Sequence, residues 1–189
     1  TQPSIGNYFW MTTGQNITND SNFSGTVTVD NIVRQLNLTG KTWRSYAENL
    51  PSIGYTGGDQ YPYVKRHNPF AYLSDVLNNP AQANNIVPFS QFSIDLANGQ
   101  FPNYSFIIPN QYNNSHDCPP SIPNCTNADK LATADQWLQQ GRWQDAYARC
   151  RQVAPEAFDP DRVRNLWDGD WRAAGEAAEA TSPVDGGPI

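Results

Sequence analysis

Charge is scarce in this 189-residue chain: 16% of its residues are Asp, Glu, Lys or Arg, and the net charge is −6. With a pI near 4.7, it has no general attraction to phosphate backbones or anionic membranes, so nucleic acid is not an expected partner. No run of eighteen apolar residues occurs, and no transmembrane segment is expected. The sequence has no Gly-x-Ser-x-Gly elbow, no phosphate-cradling glycine loop and no Cys-x-x-Cys knuckle. The commonest serine-hydrolase, nucleotide-loop and zinc-finger signatures are therefore absent. Histidine is limited to His67 and His116, and cysteine to Cys118, Cys125 and Cys150. The opening TQPSIGNYFW has neither a basic start nor an apolar core. A secretory signal is thus expected to have been removed, or the segment to be internal to a longer chain.

Aromatic residues, by contrast, are plentiful. Six tryptophans and nine tyrosines need an interior to pack in, which points to a folded body of one domain or a domain with an appendage. All asparagines but Asn165 precede residue 128, after which alanine, arginine, aspartate and tryptophan dominate. The first part alternates helix and strand. TVDNIVRQLNLTG predicts a helix with Thr28 as a possible cap, and KTWRSYAENL a strand. NPFAYLSDVLNNP and QFSIDLANGQ predict helices, and NYSFIIPN is the best strand in the chain. This order predicts an α/β fold with parallel strands, whose ligands gather at the carboxyl ends of strands, where IIPNQYNNSHD would lie. In the tail, ADKLATADQWLQQ predicts a helix. WLQQGRWQDAYARC and LWDGDWRAAGEAAEA share a Gly-x-Trp and predict two helical hairpins forming a small cap. TSPVDGGPI should fray.

Cys118 and Cys125 bracket CPPSIPNC, a natural small disulfide loop. A zinc pair is the competing reading, but no third and fourth ligand stand at metal spacing. The disulfide is preferred, with Cys150 unpaired, and it implies an oxidising, secreted or periplasmic location. By residue type, a site could form from Ser4, His67, His116 and Asp117. Each taken alone has an ordinary structural reading: a turn or cap serine, a histidine stacked among tyrosines, and a loop histidine bonded to its neighbour.

In combination these blocks mean more. PSIGNYFWMTTGQ, DNIVRQLNLTGKTWRSYAENLP, YVKRHNPFAYL, FPNYSFIIPNQYNNSHDC and ADQWLQQ occur in that order. Together they resemble the bacterial phosphoesterase family of acid phosphatases and phospholipase C-type enzymes, over roughly residues 1 to 139. The resemblance implies a partial alkaline-phosphatase-like sheet with flanking helices in 1–139, followed by an α-helical tail in 140–189. It implies phosphoester hydrolysis with Ser4 as nucleophile, and with His67 contacting phosphate or protonating the leaving oxygen. By the same resemblance Asn7 and Asn68 bind substrate. Ser4, His116 and Asp117 hold a divalent metal ion of unspecified identity. The substrate would be a phosphorylated small molecule or a phospholipid. The alternative is a non-catalytic secreted binding module that keeps the fold. Counterparts of the family's Glu-Asn pair before the serine and of its carboxylate pair after residue 139 are not found. The core is thus expected to be incomplete at both ends, and the isolated chain to turn over an activated aryl phosphate weakly or not at all.

Overall fold

The computed structural model describes residues 3–141, 143–155, 164–167 and 170–173. At its centre Trp43–Ala47 (β1) lies between Ile86–Pro88 (β2) and Tyr104–Ile108 (β3), parallel to both. Ser45 stands opposite Ile86 on one side and Phe106 on the other. This is the parallel α/β sheet that the alternation of elements predicts. β1 is buried along nearly its whole length, as a central parallel strand covered on both faces must be.

Alternating side chains sort the core into two layers. On one face Trp43, Ala47, Ile86 and Ile108 pack with Ile5, Phe9, Val33, Phe70, Leu73 and Val76. On the other, Tyr46 and Val87 pack with Phe92, Phe101 and Ala146. Burying each large side chain of this kind contributes about 1.5–3 kcal/mol, so the sheet is held chiefly by what covers it.

The first layer begins with Ser4–Thr13 (α1), which buries Ile5, Phe9 and Thr12 along one stripe and ends at Gly14 in the left-handed region, φ 67°. Ile32–Leu38 (α2) follows. Its cap is Asn31, not Thr28: the Asn31 carboxamide accepts from Arg34 N–H and donates to Asp75 at 2.8 Å. The long-range tie to Asp75 selects the later start. The helix expected across NPFAYLSDVLNNP is broken into a 3-10 turn, Pro69–Tyr72, and a four-residue helix, Ser74–Leu77 (α3). Leu73 between them is extended, because it forms a bridge with Val27. A second four-residue helix, Pro80–Ala83 (α4), leads into β2. Sequence pattern does not reveal β2, since three residues are too few to establish a period.

The second layer consists of Ser90–Ala97 (α5) and Trp143–Val153 (α7). Asp95 of α5 is fully buried, where it receives Arg44, the Tyr46 hydroxyl at 2.7 Å and Gln91 at 2.8 Å. Asn127–Gln140 (α6), opened by a capping box of Thr126 and Asp129, sets Trp137 against Phe89 and Trp143 beside this second layer. α7 is the helix the sequence predicts there. Trp143 packs 5.4 Å from Phe92, and Ala146 and Cys150 join the same cluster.

The second predicted hairpin is corrected. Arg164–Trp167 (β4) pairs antiparallel with Asp170–Ala173 (β5). In sequence the two residues between these strands, Asp168-Gly169, are a strong two-residue hairpin signal, and the rest of LWDGDWRAAGEAAEA lies outside the described residues. The expected fraying of TSPVDGGPI lies outside the described residues. No helix among the described residues is long and apolar enough to cross a membrane.

Candidate active site

Ser4 occupies the first position of α1, directly after Pro3. It is therefore not the loop or cap serine that its residue type suggests, but a side chain at a helix N-terminus. Backbone N–H groups of a first turn lack intrahelical acceptors and sit at the positive end of the helix dipole, which favours an anion. No acidic residue occupies this first turn to compete for that place. Asn7 follows three residues later, on the same side of the helix.

His67 approaches Ser4 from the 3-10 turn Lys65–His67. Its Nε2 lies 3.1 Å from Ser4 Oγ, across 63 positions of sequence. Tyr8, one helical turn beyond Ser4, covers the imidazole with ring centroids 5.0 Å apart. Only 4% of His67 is exposed. Burial, with the positive charge of Arg66 and the proximity of His116, pushes its pKa down to about 4, so the ring is neutral at pH 7. Asn68 turns the other way. It is fully buried, with its carboxamide bonded to Ser45 Oγ at 3.2 Å and to the Tyr63 hydroxyl at 3.4 Å, so the structure places it beneath the site as a brace between turn and sheet.

The loop after β3 supplies the remaining groups. Asn110 Oδ1 accepts from Tyr112 N and Asn113 N, both at 2.9 Å, and Asn114 N–H returns to Asn110 O at 3.0 Å. Side-chain amides closing turns in this way account for part of the chain's asparagine richness. Ser115, at φ 61°, then reverses the backbone, and Asp117 N–H bonds Gln111 O at 2.8 Å. The fold thus brings His116 to 6.5 Å from His67, ring centre to ring centre. His116 Nδ1 bonds Asp117 Oδ1 at 2.8 Å, and the Tyr61 hydroxyl donates to Asp117 Oδ2 at 3.1 Å. Burial opposes ionisation of Asp117, but His116 and Tyr61 outweigh it and hold the carboxyl below its ordinary value. Lys130 of α6 donates to His116 O at 3.0 Å, and the Cys118–Cys125 disulfide closes the following loop. Cys150 is free.

Three participants are not apparent from residue type. Glu48, just past β1, accepts from Asn110 N–H at 2.9 Å, from Asn113 Nδ2 and from Trp137 Nε1. An acidic residue at the carboxyl end of a central parallel strand was the available signal. Asn114 touches His67 Nδ1 at 3.3 Å, and Gln111, 1% exposed, accepts from Asn114 at 3.0 Å. The expected divalent cation fits this donor set poorly. Among the described residues no group of three or more His, Cys, Asp or Glu side chains could hold an ion. His116 Nδ1 and both oxygens of Asp117 already have partners. An ion beside Ser4 would need further donors.

A model of the Phosphoesterase family matches residues 1–140. The chain belongs to the phosphoesterase family. The match takes in Ser4, His67 and the whole loop from Asn110 to Asp117, and it ends at the start of the tail. Relatives come from fungi and from a mycobacterium. A probable acid phosphatase of Kluyveromyces lactis is 35% identical over 119 residues, 59% of this chain and 27% of the relative. An acid phosphatase of Aspergillus fumigatus is 32% identical over 126 residues, 62% of this chain and 28% of the relative. A phosphatidylinositol-3-phosphatase of Mycobacterium tuberculosis is 30% identical over 150 residues, 78% of this chain and 44% of the relative. The chain thus spans less than half the length of these phosphoesterase relatives.

Proposed function

We propose that this phosphoesterase chain carries the nucleophile segment of a phosphoric ester hydrolase, with Ser4 as the attacking residue. The observation that carries the proposal is Ser4 Oγ at a helix N-terminus, 3.1 Å from the neutral, buried His67. Phosphoryl transfer needs a positioned oxygen and donors for the equatorial oxygens more than it needs covalent help. Ser4 Oγ bonds phosphorus as the ester P–O bond breaks, and the proton lost by Ser4 balances the one gained by the departing alcohol. Water then cleaves the phosphoseryl bond and restores Ser4. The first-turn N–H groups, with Asn7 on the same side, receive phosphoryl oxygens.

The relatives' names support a phosphorylated small molecule or a phosphoinositide headgroup as substrate. The disulfide supports an exported location. No step is routed through a metal, because the described donors do not complete a site for one.

The test is covalent. An activated aryl phosphate is incubated with the 189-residue chain, followed by acid quench and peptide mass spectrometry. One phosphoryl group on Ser4, absent from Ser4→Ala, is the expected result even where turnover is slow. Phosphorylation of another residue, or none under any divalent-cation supplement, overturns the assignment.

A further inference from the structure

The side chain of Asn114 has three neighbours that only one orientation satisfies. One end faces the backbone N–H of His116 at 2.9 Å. A backbone N–H can only donate, so that end is the oxygen. The other end is therefore the NH2, and it meets Gln111 Oε1 at 3.0 Å and His67 Nδ1 at 3.3 Å. An amide NH2 cannot accept, so His67 Nδ1 must present its lone pair. A neutral imidazole has one proton, and here it is left on Nε2. That nitrogen faces Ser4 Oγ.

We infer that Asn114 is a positioning residue that fixes His67 as a hydrogen-bond donor to the Ser4 oxygen, and so excludes His67 as the base that removes the serine proton. The same contact excludes the doubly protonated ring, whose Nδ1–H would face an NH2 that cannot accept. His116 has the opposite arrangement. Its Nδ1 faces the Asp117 carboxylate at 2.8 Å, an acceptor only, so Nδ1 holds the proton. The two histidines thus differ at Nδ1, which is bare in His67 against an amide and protonated in His116 against a carboxylate. A donor at Ser4 Oγ stabilises that oxygen as it gains negative charge, or takes a phosphoryl oxygen beside it. The catalytic meaning rests on Ser4 being the nucleophile; the tautomer does not.

The experiment is long-range 1H–15N correlation of the imidazole rings in 15N-histidine-labelled protein at pH 7, with His116→Asn to assign the two rings. The expected wild-type spectrum shows His67 with a proton on Nε2 and an unprotonated Nδ1, and His116 with a proton on Nδ1. In Asn114→Asp, a carboxylate oxygen can still accept from His116 N–H while the other faces His67, so the His67 Nδ1 gains the proton and its unprotonated resonance is lost. A wild-type His67 protonated on Nδ1, or a His67 pattern unchanged in folded Asn114→Asp, overturns the inference. Should Asn114→Asp not fold, the wild-type spectrum alone decides. A chain with the expected tautomer but no Ser4 phosphorylation would refute the hydrolase reading and leave this one standing.

Discussion

The Trp137 indole of α6 donates to the Glu48 carboxylate at 2.8 Å, across 89 positions of sequence. The same carboxylate receives Asn110 N–H and Asn113 Nδ2 from the loop that holds Asn114, His116 and Asp117. One acidic residue at the end of β1 therefore ties the site loop to a helix on the flank of the sheet. Glu48→Ala should cost about 2–3 kcal/mol, as expected when several donors lose a charged acceptor. Urea unfolding checks the magnitude. Glu48→Gln, which keeps an acceptor oxygen, should lose less, and equal losses would show that the carboxylate's second oxygen and charge contribute nothing.

Acid should destabilise the fold in a window set by His67. Its ordinary value is 6.5 and its folded value about 4. Between these the unfolded chain binds a proton that the folded protein does not. The contribution is therefore fully present above about pH 6.5 and is lost as pH falls through about 4, by no more than about 3 kcal/mol in total. Asp75, Asp95 and Asp117, all held below 3.8, add their losses at still lower pH. Unfolding free energy measured from pH 7 to 4 should fall more steeply in the wild type than in His67→Gln.

The buried network around Asp95 should be among the most sensitive points outside the site. Asp95→Ala leaves Arg44, Gln91 and the Tyr46 hydroxyl without their acceptor, which costs about 3–5 kcal/mol for a broken buried ion pair. Thermal unfolding of Asp95→Ala against Arg44→Ala/Asp95→Ala tests this. The double variant should recover part of the loss, because it no longer strands the guanidinium.

Denatured, unreduced protein should show one reactive thiol, Cys150, and reduction should expose the Cys118–Cys125 pair. Closing so short a loop restricts the unfolded chain by about 2 kcal/mol. Reduced protein should accordingly unfold at lower denaturant, and thiol titration with a parallel unfolding curve reads both effects.

Much of this was written locally. NYSFIIPN and KTWRSYAENL became β3 and β1 because aromatic and branched residues crowd each run and turn residues close it. QFSIDLANGQ ended where Gly99, at φ 66°, could leave the helix. The disulfide followed from two cysteines bracketing a proline-rich loop, and the order of the sequence blocks was enough to indicate the family. The tail was less legible, since its alanine-rich composition favours a helix, whereas Arg164–Trp167 and Asp170–Ala173 pair as strands.

The site was legible as residue types but not as an arrangement. Ser4, His67, His116 and Asp117 stand out in sequence because hydroxyl, imidazole and carboxylate are the groups that phosphoryl transfer uses. That Ser4 begins a helix, that Asn68 faces inward to Ser45 and Tyr63, and that Glu48 anchors the loop all depend on contacts across tens of residues. No local pattern encodes those. The position of the His67 proton lies furthest from the sequence, because a tautomer is chosen by whichever atom faces each nitrogen. Only the packed structure sets Asn114 Nδ2 against one nitrogen and Ser4 Oγ against the other.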